Sequence, residues 1–116
     1  MAVLGPEASA MNKKREMALD EFVKRAADAY KDRIESITLF GSVARGTART
    51  DSDIDLLVVV DREDFWLRRE LISIAFDILL ETGLDLSVKV ISSRDFQARK
   101  SFSFLRNILA EGVKVA

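Results

Sequence analysis

The stretch Gly41–Val60, GSVARGTARTDSDIDLLVVV, decides how this chain is read. Its second half is an apolar, β-branched run of the kind that fills a buried strand. Two aspartates stand at the mouth of that run, Asp53 and Asp55, and Asp55 lies between Ile54 and Leu56. Residues i and i+2 of a strand point the same way, so the two carboxylates project to one face with Cα atoms about 6–7 Å apart. A carboxylate left unpaired inside a core strand costs several kcal/mol, and it calls for a metal ion, a cationic side chain or a shifted pKa. A structural salt bridge to an arginine is the competing account of Asp55. Asp51, with Ser52, reads as the turn before the strand.

Upstream of the aspartates, Ser36–Phe40 reads as a short strand broken by Gly41, with one or two helical turns from Ser42 to Arg45 and a stop at Gly46. Free backbone N–H groups at a helix start favour phosphate, glycine lets the backbone approach closely, and a serine hydroxyl adds a donor. Gly41-Ser42 is weak as a signal alone and gains value from its spacing to Asp53. If the two strands are antiparallel, the anion site and the carboxylates face each other. Arg45 and Arg49 are the nearest cations; they fit triphosphate oxygens or a solvated surface, the surface reading being favoured for Arg49.

Downstream, Asp61–Thr82 reads as a long helix with Asp61 as its N-cap, Leu67, Leu71, Ile74, Ile78 and Leu79 on its buried face, and Gly83 as its stop. Leu84–Ile91 reads as a third strand. A strand, a helix of that length and another strand make a parallel crossover, which sets Asp85 beside Asp53 and Asp55. A turn residue after Gly83-Leu84 is the alternative reading of Asp85. Asn12–Lys31 reads as an opening helix with Met17, Phe22, Ala26, Ala29 and Tyr30 as its apolar stripe. Lys13, Lys14, Arg15, Lys24 and Arg25 read as its solvated face. Ser93 caps a last helix with Phe102, Leu105, Ile108 and Leu109 inward, ended by Gly112. Trp66 reads as a packing or interface residue. The order α-β-(short α)-β-α-β-α predicts an α/β (α+β) fold, a small mixed sheet flanked by helices.

Composition narrows the chemistry. The chain has 116 residues, no cysteine and no histidine. Disulfides, thiolate metal sites, cysteine nucleophiles and histidine bases are excluded, so acid, base and metal-ligand roles fall to Asp and Glu, whose hard oxygens suit Mg²⁺ or Mn²⁺. A net charge of −1 argues against a protein that coats nucleic acid. No apolar run is long enough for a membrane span, and MAVLGPEASAM lacks a secretory pattern; a cytoplasmic location is the default. Residues 1–11 read as a loose tail, with Met11 as an alternative start, and 12–116 as one domain.

Gly41-Ser42, ten residues, then Asp53-x-Asp55 resembles the signature of the DNA polymerase beta-like nucleotidyltransferase superfamily. The form GSVARGTARTDSDIDLLV is most similar to the minimal nucleotidyltransferases of the MNT antitoxin type. LDLSVKV and the closing ILAEGVKV extend the resemblance to the C-terminus. The resemblance implies that Asp53 and Asp55 bind two Mg²⁺ ions (or Mn²⁺) and the nucleotide, that Asp85 completes the set and helps activate the acceptor hydroxyl, and that Gly41 and Ser42 hold the outer phosphates. It implies transfer of a nucleoside monophosphate, AMP from ATP, onto a hydroxyl, a tyrosine of a HEPN-type toxin partner for an antitoxin of this size. Two alternatives stand beside it: a small-molecule transferase of the aminoglycoside kind, and a non-catalytic module that binds a toxin. An oligomer is compatible with any of these.

Overall fold

The computed structural model describes residues 11–116; most of the segment read as a tail lies outside them. Among the described residues the elements follow in order: α1 (Lys13–Tyr30), β1 (Ile34–Phe40), α2 (Gly41–Arg45), β2 (Ile54–Val60), α3 (Phe65–Thr82), β3 (Leu86–Ser92), α4 (Ser93–Arg99), α5 (Ser103–Glu111) and β4 (Val113–Lys114). The strands form one mixed sheet in the order β3-β2-β1-β4. β1 runs antiparallel to β2, with Phe40 opposite Asp55. β2 and β3 are parallel, joined through α3, with Ile54 opposite Leu86 and Asp55 opposite Ser87. The parallel pair is the crossover the sequence predicts, and the antiparallel pair meets the condition under which the Gly41 turn faces the carboxylates.

The alternation of β2 divides the core. Ile54, Leu56, Val58 and Val60 join Phe22 and Ala26 of α1 and Leu67, Leu71 and Ile78 of α3 in one cluster. Leu57 and Val59 join Leu105 and Ile108 of α5 in a smaller cluster on the other face, edged by Phe40, Ile91 and Phe96. Asp53 and Asp55 share the parity of Leu57, so they belong to the face that α5 covers only in part.

Several boundaries differ from the sequence reading. In α1, Asn12 is the N-cap, its side chain accepting from the Arg15 N–H. The buried stripe is Arg15, Ala18, Leu19, Phe22 and Ala26. Met17 is 62% exposed and Ala29 is exposed, because the true stripe is turned about one residue from the predicted one. β1 starts at Ile34, not Ser36. α3 starts after Asp64, whose carboxylate accepts from the N–H groups of Trp66 and Leu67. Asp61 does not cap it; it holds Arg33 instead. β3 starts at Leu86, which leaves Asp85 just before the strand.

The single closing helix is two. Ser92, not Ser93, caps α4 through the Asp95 N–H, and a break after Arg99 lets α5 lie across the sheet. Leu105 and Ile108 are buried while Phe102 and Leu109 are exposed. β4 was absent from the predicted order; it pairs with β1 at Thr38 and Leu39. A Cβ at Gly112 would overlap the Ile108 carbonyl and the Thr38 side chain, so glycine is what fits between α5 and β4.

Candidate active site

Asp55 lies one residue into β2 and is half-buried. Its neighbour across the antiparallel pair is Phe40, the residue before Gly41. Gly41 has φ +76°, and a Cβ there would overlap the Asp55 carboxylate. Two demands therefore converge on glycine at this position: a left-handed backbone and room for a carboxyl group. The strand-ending turn and the aspartate are in contact, as the antiparallel reading requires.

α2 follows with Ser42 in its first turn, and no side chain caps it at Phe40. Arg45, in the last turn, is exposed and bridges to Glu111 of α5 at 3.4 Å. Gly46 closes the turn at φ 77°. The loop that leads back to β2 is drawn into a short turn: the Ser52 N–H donates to the Arg49 carbonyl at 3.1 Å, and the Arg49 N–H donates to Ser52 Oγ at 2.8 Å. Asp53 is the next residue, exposed at the sheet rim. Asp85 sits at the same rim, and its carbonyl accepts from the Ile54 N–H at 2.9 Å. That bond fixes the starts of β2 and β3 side by side.

Burial raises the Asp55 pKa, and the Asp53 charge raises it further; Lys89 and Arg45 pull it down, and Asp85 adds a smaller upward push. Asp53, Asp85, Lys89 and Arg45 are all near enough to be felt at Asp55, which Gly41 touches directly. Arg49 is exposed, and its backbone N–H and carbonyl serve the loop. Among the described residues no salt bridge holds Asp55, and the arginine account of this residue falls.

Among the described residues no three Asp, Glu, His or Cys side chains form a ready-made metal cage. Asp53 and Asp55 still fit a hard divalent cation. They are carboxylates on one face, one of them partly desolvated and unpaired by any arginine. Mg²⁺ is held elsewhere by one or two carboxylates completed by phosphate oxygens and water.

Two residues escaped the sequence reading. Lys89, on β3, lies on the Asp55 face at the mouth of a cavity of about 410 Å³ that Leu57, Ile91, Arg99, Phe104 and Leu105 also line. Its parity with Ser87, the partner of Asp55, was the available signal. Arg15 was taken for part of a solvated face but is only 2% exposed. Its Nη2 donates to the Arg49 carbonyl, so α1 grips the turn that carries Asp53. Its place between Asn12 and Leu19 on the buried stripe was legible only with the correct helix phase.

The nucleotidyltransferase domain model matches residues 19–115. The chain belongs to the nucleotidyltransferase family. A Methanocaldococcus jannaschii protein provisionally named protein adenylyltransferase MJ0604 is 38% identical over 97 residues, covering 84% of this chain and 93% of that one. A second from the same organism, MJ1305 with the same provisional name, is 32% identical over 100 residues, covering 84% and 67%. Among solved structures, a provisionally named nucleotidyltransferase from Sulfolobus solfataricus superposes with TM-score 0.59 at 19% identity, covering 98% of this chain and 89% of that one. A toxin–antitoxin structure with AMP-PNP superposes at 0.52 with 25% identity, covering 80% and 68%. The fold is that of the minimal nucleotidyltransferases of the polymerase beta-like superfamily, and the protein is a nucleotidyltransferase.

Proposed function

We propose that this nucleotidyltransferase moves AMP from ATP onto a tyrosine hydroxyl of a HEPN-type toxin and acts as its cytoplasmic antitoxin. The observation that carries the reading is the half-buried Asp55 carboxylate against Gly41, with Asp53 beside it and Arg45 and Lys89 as the facing cations. The names of the M. jannaschii relatives support protein adenylylation. The AMP-PNP complex supports an adenine nucleotide and a toxin partner.

In this reading Asp53 and Asp55 hold one or two Mg²⁺ ions (or Mn²⁺). Bound there, the ions supply charge neutralisation for the triphosphate and for the attacking and leaving oxygens. Gly41, Ser42 and the first-turn N–H groups of α2 receive the outer phosphates, and Arg45 exchanges Glu111 for a phosphate oxygen. Asp85 takes the proton of the acceptor hydroxyl as its oxygen attacks the α-phosphorus. A new O–P bond forms, the bond to the bridging oxygen breaks, and pyrophosphate leaves towards Ser42 and Arg45. The protein's contribution is alignment and electrostatic complementarity to the transition state.

The reading is tested with purified chain, its genomic neighbour, Mg²⁺ and ATP, followed by intact mass of the neighbour. A gain of one AMP on a tyrosine supports it. An unmodified neighbour in a stable, inhibited complex would mean that binding alone neutralises the toxin.

A further inference from the structure

α3 has two apolar faces. Leu67, Leu71, Ala75 and Ile78 are buried in the core. Phe65, Ile72, Phe76 and Leu80, flanked by Trp66, are between 48% and 70% exposed. Spacings of seven, four and four keep Phe65, Ile72, Phe76 and Leu80 on one side of a 3.6-residue helix. Single exposed apolar residues need no explanation, but five large ones on one helix form a patch. The patch continues into a groove of about 200 Å³, where Ile72, Phe76 and Leu79 face Leu86 and Val88 of β3. β3 is the outer strand of the sheet, so nothing of the sheet lies beyond it.

We propose that this face joins two copies of the chain about a twofold axis, α3 packing antiparallel to its copy. Area supports it. At 150–250 Å² per fully exposed aromatic, the five side chains present on the order of 600 Å² of apolar surface. A standard interface buries about 800 Å² per partner, and the exposed Arg69, Ser73 and Asp77 between the patch residues add polar surface to it. Charge supports a second copy rather than an unrelated partner. Arg69 and Asp77, both exposed, stand four residues to either side of Ser73. An axis at Ser73 sets Arg69 beside the partner's Asp77 twice over, and Trp66 against the partner's Leu80. The Arg69 guanidinium is already held 5.9 Å from the Trp66 ring centroid.

Geometry supports the position of the axis. Leu79 and Leu86 both line the groove. From Leu79 back to Ser73 the helix climbs about 9 Å, and from Leu86 to Lys89 the strand climbs about 10 Å. Ser73 therefore falls near the level of Lys89, the middle residue of β3, so one axis can pass close to the middle of both elements. Opposed Lys89 side chains disfavour direct pairing of the two strand edges in that register, so the helices carry the contact. α3 lies on the sheet face opposite Asp55, so each copy keeps Asp55 clear of the contact, while Asp85 lines the groove at the sheet rim.

Analytical ultracentrifugation of the purified chain tests the proposal. A dimer is expected, with a dissociation constant on the order of 10 µM or tighter. Phe76→Glu, an exposed position that spares the core, should weaken it at least about 100-fold with unchanged circular dichroism. Arg69→Asp should weaken it about tenfold, and Arg69→Asp combined with Asp77→Arg should restore it. A wild-type chain that stays monomeric at about 100 µM overturns the proposal. So does a dimer indifferent to Phe76→Glu, or a chain that is monomeric alone and uses Phe76 only to bind its genomic neighbour.

Discussion

Asp55 shows how a residue can oppose stability in order to serve a site. Its folded pKa is raised, by burial first and by Asp53 second. Below the ordinary value of 3.8 it is protonated folded or unfolded and makes no difference to stability. As pH rises from there through the raised folded value, the folded state pays for ionisation that the unfolded chain does not, and stability falls. Asp55→Asn should therefore raise the metal-free melting midpoint at neutral pH by about 2–5 °C. The same change should cut nucleotidyl transfer by about a thousandfold or more. Mg²⁺ should raise the wild-type midpoint and leave that of Asp55→Asn unmoved, which differential scanning fluorimetry reads directly. Gly41→Ala should lose both stability, by about 1–3 kcal/mol from the left-handed backbone alone, and activity, through displacement of the carboxylate. Arg15 acts through the Arg49 carbonyl. Arg15→Met should lower kcat with little change in the KM for ATP, and added guanidinium should recover part of it. A loss that tracks only the melting midpoint would reduce Arg15 to a structural role.

At the scale of elements, the sequence carries the strand–turn–strand unit almost whole, because a β-branched run, a glycine with φ +76° and an antiparallel return are all local demands. Helix phase was less legible. Met17 and Ala29 fitted an apolar stripe as well as Ala18 and Leu19 do, and only packing on β2 chooses between them. The α4–α5 break has no proline or glycine to announce it; it comes from α5 turning to lay Leu105 and Ile108 on Leu57 and Val59. The sequence reading gave the cap to Asp61; the structure gives it to Asp64, whose carboxylate meets the Trp66 and Leu67 N–H groups, while Arg33 binds both aspartates. Arg33 holds the Asp64 carboxyl below its ordinary 3.8, with help from the capped N–H groups. This contribution is present above the unfolded value and is lost as pH falls through the depressed folded value. Asp64→Ala should lower the melting midpoint at neutral pH and flatten its acid dependence below pH 3.8. Leu71→Ala, at a fully buried position between α3 and the sheet, should cost about 2–5 kcal/mol in urea titration while leaving the site chemistry intact in the folded fraction.

At the scale of the molecule, one sheet separates two tasks. The face under α1 and α3 holds the larger core, and the other face, half-covered by α5, presents the carboxylates. The sequence made the carboxylate pair and its facing turn visible because both lie within one stretch of 20 residues, Gly41–Val60. Lys89 and Arg15 were not visible in that way, since each reaches the site from a distant element through the tertiary fold. Among the described residues no helix is long and apolar enough to cross a membrane. The outer face of α3 is spared by the site and is free to make an assembly contact. The central claim is that Asp53 and Asp55 direct transfer of the α-phosphoryl group with its nucleoside. The most direct measurement follows label from α-³²P-ATP and, separately, γ-³²P-ATP onto the protein encoded by the neighbouring gene, with wild type and with Asp53→Asn/Asp55→Asn. Label from the α position alone, lost in the double variant, is the predicted result; label from the γ position, or α label that survives the double variant, would contradict it.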